Sequence, residues 1–453
     1  MIGRNRAEKI LDRALSALES AGAEAGQATL MTQEEGLTRF ANNYIHQNVH
    51  ESDASLSLFA GIGLRLGSAD TNRLDRSGIL AAARQAVAIA RQSAEDPEFP
   101  GLISSPPAPE VASGFDSRTA RMSPTARARI VARATKRSAK KGTAASGKVS
   151  SSGIEIAVAN SAGTVQYAAL SGFGASCTAM VEGSAGSENW SAGSASAFKR
   201  QLGRFGADAV KTALKARNPK KVPAGEWTVI LSPRAVTEML GFLSYLGFNA
   251  QAHIEGRSCL TGRMGTRVVD EKITLRDDGL CAEGLPLPFD FEGVPRRKLT
   301  LIEKGVAREL PHSSRTAKKM EAEPTGHSFG PRSTVGGLPM HLVLEPGETS
   351  LEDMIASTDK GLFVSRFWYT NIAEPGKAVI TGMTRDGLFQ VNKGKLRRAA
   401  CNLRFTQSVL EALSNVEAVG SELVGVGGDW GAGQTRCPAL KIRDFRFTGA
   451  TEF

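Results

Sequence analysis

The stretch Ser232-Pro233-Arg234-Ala235-Val236-Thr237-Glu238-Met239-Leu240-Gly241-Phe242 reads as the start of a helix, and it carries one carboxylate, Glu238. A carboxylate alone is a modest catalyst. General-base assistance is worth roughly 10²–10⁴ in rate, and a larger effect needs a polarised water, which a bound metal can supply. Residues able to build such a centre are few. His46 and His50 stand four apart in a β-rich run, where they share a face but lie ~13 Å from each other at ~3.3 Å per residue, too far to clasp one ion. His253 and Glu255 are two apart and diverge on a helix. The five cysteines, Cys177, Cys259, Cys281, Cys401 and Cys437, are scattered without a Cys-x-x-Cys pair, which argues for reduced thiols rather than a disulfide frame or a zinc knuckle. His327 ends the loop Glu323-Pro324-Thr325-Gly326-His327; it either faces an inner cavity or is held by hydrogen bonds within the loop.

The elements that must position Glu238 are a strand and a helix. Trp227 to Leu231 is rich in β-formers, Ser232 offers an N-cap hydroxyl, and Pro233 loses nothing at the first helical position. Val236, Met239, Leu240, Leu243 and Leu246 recur at three- and four-residue steps, so one helix face is buried, and Gly247 is a natural stop. Thr237, Glu238 and Phe242 sit at the edge of that stripe. Upstream, the pattern predicts a helix over 5–22, strands over 27–31, 38–41 and 55–66 with Asn42-Asn43 as a turn, and a helix over 80–90. The proline-dense segment 96–113 reads as a surface connector. A hairpin follows over 152–169. Residues 183–193, small and polar, read as a flexible loop, and they lack the Lys-Ser/Thr ending of a phosphate-cradling loop. A helix over 205–216 runs into Asn218-Pro219-Lys220-Lys221, read as the boundary between domains 1–221 and 222–453. The expected class is α+β, with an N-terminal α/β sandwich-like domain and a C-terminal, mostly antiparallel β-barrel-like domain.

At 453 residues the chain can bury two or three ordinary cores. No apolar run approaches the ~18 residues of a membrane span, and no apolar segment follows the charged start Met1 to Ile10, so the expected location is cytoplasmic. The formal charge of +10 is partly local. Arg118, Arg121, Arg127, Arg129, Arg133, Lys136, Arg137, Lys140 and Lys141 fall in one segment with no acid among them. Ser123-Pro124 caps a helix there, and Ala126, Ile130 and Ala134 give it a narrow buried stripe. Aromatic residues that would stack on bases are missing, so the segment reads as a solvated basic face and nucleic acid is not expected. Polyanion binding through Arg127 to Lys141 is the alternative.

Several of these motifs, in this order, resemble the TldD/PmbA family of peptidases. The carriers are the window Thr237-Glu238-Met239-Leu240-Gly241-Phe242 with Phe248-Asn249, the run Arg39-Phe40-Ala41-Asn42-Asn43, Asp290-Phe291-Glu292-Gly293-Val294-Pro295-Arg296-Arg297, the loop ending in His327, and Gly427-Gly428-Asp429-Trp430-Gly431-Ala432-Gly433-Gln434. The family's active subunit carries His-Glu-x-x-x-His on the helix and a distant cysteine, which together bind zinc. Here Glu238 remains as the motif glutamate, Thr237 and Phe242 replace the histidines, and Asp429 falls at the cysteine position, with Cys437 nearby but out of step. Neither a threonine hydroxyl nor a phenyl ring is a zinc ligand. The resemblance therefore implies the metal-free PmbA (TldE) type of subunit. It would bind unfolded peptides with Arg39, Asn42, Asn43 and His327 among its contacts, and would pair with a zinc-bearing TldD-like catalytic subunit or with itself, with no cofactor of its own and no membrane. An active peptidase with a relocated metal, gathered from Asp429, Glu238, His253 and His327, is the competing expectation.

Overall fold

The computed structural model describes residues 1–111, 114–427 and 434–450. Its N-terminal half is organised by one six-stranded antiparallel sheet, ordered β3-β2-β1-β4-β5-β6. The strands are β1 (Ala25–Ala41), β2 (Tyr44–Ile62), β3 (Arg65–Thr71), β4 (Ala144–Asn160), β5 (Val165–Val181) and β6 (Ser184–Ala192). Asn42 and Asn43 both take positive φ, 50° and 67°, so β1 and β2 are joined by the two-residue turn the asparagines predict.

Helices α1 (Arg4–Ala21), α2 (Arg76–Gln92), α3 (Ser117–Ala120), α4 (Pro124–Lys140), α5 (Lys199–Gly203) and α6 (Ala207–Lys215) complete this half. Asp75 caps α2 by accepting from Gly78 N at 2.7 Å, and Ser123 caps α4. Even-numbered residues of β1, such as Leu30 and Phe40, face α1, α2, α4 and α6; odd-numbered ones face the C-terminal half, where Met31 and Ile156 pack near Leu287 and Phe289. The segment read as a flexible loop is instead β6. Its small residues serve close packing, since a Cβ on Gly186 would meet the Ala209 carbonyl of α6 at 2.3 Å. Arg127, counted with the solvated cations of the basic helix, is buried instead. Its guanidinium donates to Thr38 Oγ1, Ser151 Oγ and the Met122 carbonyl, over the bare Cα of Gly36.

The C-terminal half begins with β7 (Gly225–Leu231) and α7 (Pro233–Gly247). It continues with β8 (Leu275–Asp277), β9 (Leu299–Glu303), β10 (Val306–Ala307), β11 (Leu342–Leu344), β12 (Lys360–Glu374), β13 (Val379–Asn392), β14 (Lys395–Ala400), β15 (Leu403–Ser408), β16 (Val416–Val419), β17 (Val424–Gly427), β18 (Gln434–Cys437) and β19 (Leu440–Ala450). Where the sequence reading expects one barrel-like assembly, the described residues build two sheets. One is ordered β10-β9-β8-β11-β18-β17, the other β12-β7-β19-β15-β13-β14, with β12 also pairing β13. Two pairings, β12 with β7 and β11 with β18, are parallel and the others antiparallel. The largest core lies here, around Val236, Met239, Leu240 and Leu243 of α7.

Candidate functional site

The helix α7 is fixed from both ends. It starts at Pro233, yet Ser232 does not cap it: the hydroxyl donates to the Ser365 carbonyl on β12, tying the helix start to its neighbouring strand. Its apolar face enters the core, which leaves Arg234, Thr237, Glu238, Gly241 and Tyr245, recurring at three- and four-residue steps, along a cleft. The cleft encloses about 1040 Å³. The opposite wall is the odd face of the N-terminal sheet, presenting Lys148, Ser150 and Ser152 from β4, Gly174 and Ser176 from β5, and Asn189 from β6. Tyr245, Phe329 and Trp368, each at least 40% exposed, stand around it as aromatic surface.

A polar clasp closes the two halves over one end. Ser187 Oγ on β6 donates to Asp386 Oδ2 at 2.7 Å, Arg366 Nε donates to the same oxygen at 2.6 Å, and Arg234 Nη1 reaches Ser187 Oγ at 2.8 Å. The Arg366 guanidinium also lies 4.8 Å from the centroid of the Trp368 ring, a cation–π contact. Glu188 lies beside this clasp but turns to the start of α6, where one oxygen accepts from Gly206 N. Burial is the main reason its carboxyl is pushed up to about 7.

The described residues at the degenerate motif do not fit zinc. Thr237 Oγ1 lies 3.4 Å from Cys437 Sγ, and that thiol donates to the Pro233 carbonyl at 3.2 Å. Burial raises the thiol to about 12, so it stays protonated at neutral pH, whereas a metal ligand must be a thiolate. Phe242 contributes a buried ring. Among the described residues no three His, Cys, Asp or Glu side chains gather where they could hold a metal ion.

The other sequence-derived candidates disperse. His327 does not face the cleft: it is 1% exposed, its Nε2 lies 3.0 Å from Asp277 Oδ1, and its Nδ1 contacts Thr325. His253 does not line the cleft either, so the described members of the relocated-metal set do not converge there. Asp429 lies outside the described residues. Arg39 is exposed on β1, on the odd face that also borders the cleft, while Asn43 is used locally, donating to the Thr143 carbonyl and accepting from Ala145 N. Asn42 shares that turn. Sequence reasoning passed over Lys148, Ser150, Ser176 and Asn189. Their signal was available: Lys148-x-Ser150-x-Ser152 and Gly172-x-Gly174-x-Ser176 put polar or bare residues at every second position of a strand.

Comparison with known proteins matches residues 224–449 to the family of the PmbA/TldA metallopeptidase C-terminal domain. A metalloprotease of Methanothermobacter thermautotrophicus is 28% identical over 236 residues, 50% of this chain and 49% of that protein. The metalloprotease PmbA of Escherichia coli O157:H7 is 24% identical over 222 residues, covering 48% and 46%. The chain thus spans about half the length of the curated relatives it matches. The fold is shared along nearly all of it: the crystal structure of TldE from Thermococcus kodakarensis superposes with a TM-score of 0.85 at 20% identity, covering 97% of this chain and 99% of that one. With Glu238 on the helix of that matched domain and the same architecture around it, the chain belongs to the TldD/PmbA family.

Proposed function

We propose that this chain is the TldE/PmbA-type member of a peptidase pair, which holds unfolded peptide in its cleft and assists a zinc-bearing TldD-like partner rather than cutting the peptide itself. The observation that carries this reading is the pairing of a 1040 Å³ cleft with a helix that offers it Thr237, Glu238 and Phe242. The space and its polar, strand-lined wall suit an extended chain, and the donor set beside Glu238 provides no described ligand to polarise a water. Glu238 keeps the place of the motif glutamate on α7. The pairing of β12, β7, β19, β15 and β13 in a cycle supports reading that C-terminal sheet as closed, a rigid frame for α7.

Metal analysis of the purified chain by native mass spectrometry tests the proposal. Sub-stoichiometric zinc and no peptide cleavage are expected alone, with cleavage appearing when a partner carrying His-Glu-x-x-x-His is added. Stoichiometric zinc bound by the isolated chain overturns the reading. Combining Thr237→His, Phe242→His and Asp429→Cys should raise zinc affinity, and no gain would count against the assignment of those three positions.

A further inference from the structure

The register of the N-terminal sheet lays one polar row across five strands. Arg39 on β1 stands opposite Gln47 on β2 and Lys148 on β4; Lys148 stands opposite Ser176 on β5, and Ser176 opposite Asn189 on β6. Residues directly opposite each other project from the same face, and Lys148, Ser176 and Asn189 line the cleft. All five side chains of the row therefore stand on the cleft side of the sheet.

Two members of the row are cations set directly across from each other, an arrangement that destabilises a sheet when nothing neutralises it. Among the described residues neither Arg39 nor Lys148 has a carboxylate within ion-pair distance; Arg39 reaches Gln47 Oε1 at 3.4 Å. The nearest acids on the same strands and face, Glu35 and its cross-strand partner Glu51, are four residues away, ~13 Å along the strand. Glu188, next to Asn189, turns to the opposite face. Opposed Cα atoms lie roughly 4.5–5.5 Å apart, so an ammonium and a guanidinium can converge on one group, with the Ser176 hydroxyl and Asn189 amide as further donors.

We propose that Arg39 and Lys148 form a carboxylate subsite that fixes the end of an extended peptide in the cleft, through its C-terminal carboxylate or an acidic side chain. This rests on the reading of the cleft as a peptide site. The two like charges persist because the ligand supplies the counter-charge, and the row's neutral donors set its position along the sheet.

The test is fluorescence anisotropy on the full chain with three N-terminally labelled hexapeptides of otherwise neutral sequence: a free acid, its C-terminal amide, and an amide containing one internal aspartate. The subsite predicts that the free acid or the aspartate peptide binds about tenfold tighter than the neutral amide, the effect expected of one charge-assisted contact. It also predicts that added salt shrinks the difference. Whichever acidic peptide shows the preference identifies the source of the carboxylate. Lys148→Gln and Arg39→Gln should each erase most of the preference, read as the ratio of acidic-peptide to amide affinity within the same variant, and Lys148→Arg should restore it. Both glutamine variants should melt no lower than the parent, because each removes a repulsion. Equal affinity for all three peptides, or a preference that survives both substitutions, overturns the subsite and leaves the peptide cleft standing. Failure of every peptide to bind overturns the peptide cleft and the subsite with it.

Discussion

Ionisable side chains are dense in two regions, and the two treat charge in opposite ways. Behind β8 and β11 the groups are buried: Asp277 accepts from His327 and from His341 N at 2.8 Å, with Arg296 Nη1 3.9 Å away. Burial opposes ionisation of Asp277, yet the His327 hydrogen bond and the neighbouring cations hold it below the ordinary carboxylate range, and burial pushes His341 down to about 4. In the cleft, Lys148 is open to solvent, and no histidine is found among the lining residues described. Strong perturbation often marks a functional site. Here it marks an interior that holds the fold together.

Substitution should separate the two regions by size and by sign. The largest effect belongs to the interior. Arg296→Leu strands Asp277 as a buried charge without its cation and should cost about 3–5 kcal/mol, read as a lower denaturation midpoint; a midpoint within experimental error of the parent would dissolve the distinction. Glu188 lies at the border, on a cleft strand but turned inward. Its folded value near 7 is above its unfolded value, so its contribution to stability is full below about 4.5 and is lost as pH rises through 7. Glu188→Gln should flatten that fall and raise the melting temperature at pH 8, by up to ~3 kcal/mol in stability terms. Persistence of the parent's pH slope in this variant would place the titration elsewhere. The smallest effect, of opposite sign, belongs to the cleft. A Cβ on Gly241 meets nothing within 4 Å, so Gly241→Ala should stabilise α7 by about 0.5–1 kcal/mol while narrowing the space over Glu238, a gain that thermal melts can detect.

What could be read from the chain beforehand follows the same divide. Local rules located α7, because Pro233 at its first position and the apolar steps from Val236 to Leu246 act within one helix, and they located the Asn42-Asn43 turn, because two asparagines tolerate positive φ. Pairing across long separations was not legible. The strand β6 reads as a loop until β5 supplies its ladder and α6 explains Gly186. Arg127 reads as solvated until Gly36, far earlier in the chain, is seen to leave room for it. His327 drew attention by residue type, but its partner Asp277 is fifty positions distant. For the cleft, the helix side was recoverable from one motif, while the sheet side depended on register among β4, β5 and β6.

The placement of β7 has a consequence for motion. It is flanked by β12 on one side and β19 on the other, and it leads directly into α7. Amide protons of Val229, Ile230 and Leu231 should therefore be among the last to exchange with heavy water, and the segment feeding Glu238 should behave as bedrock. The wall of the groove that carries Glu238 is therefore anchored through β7 to the most protected ladder of the C-terminal half.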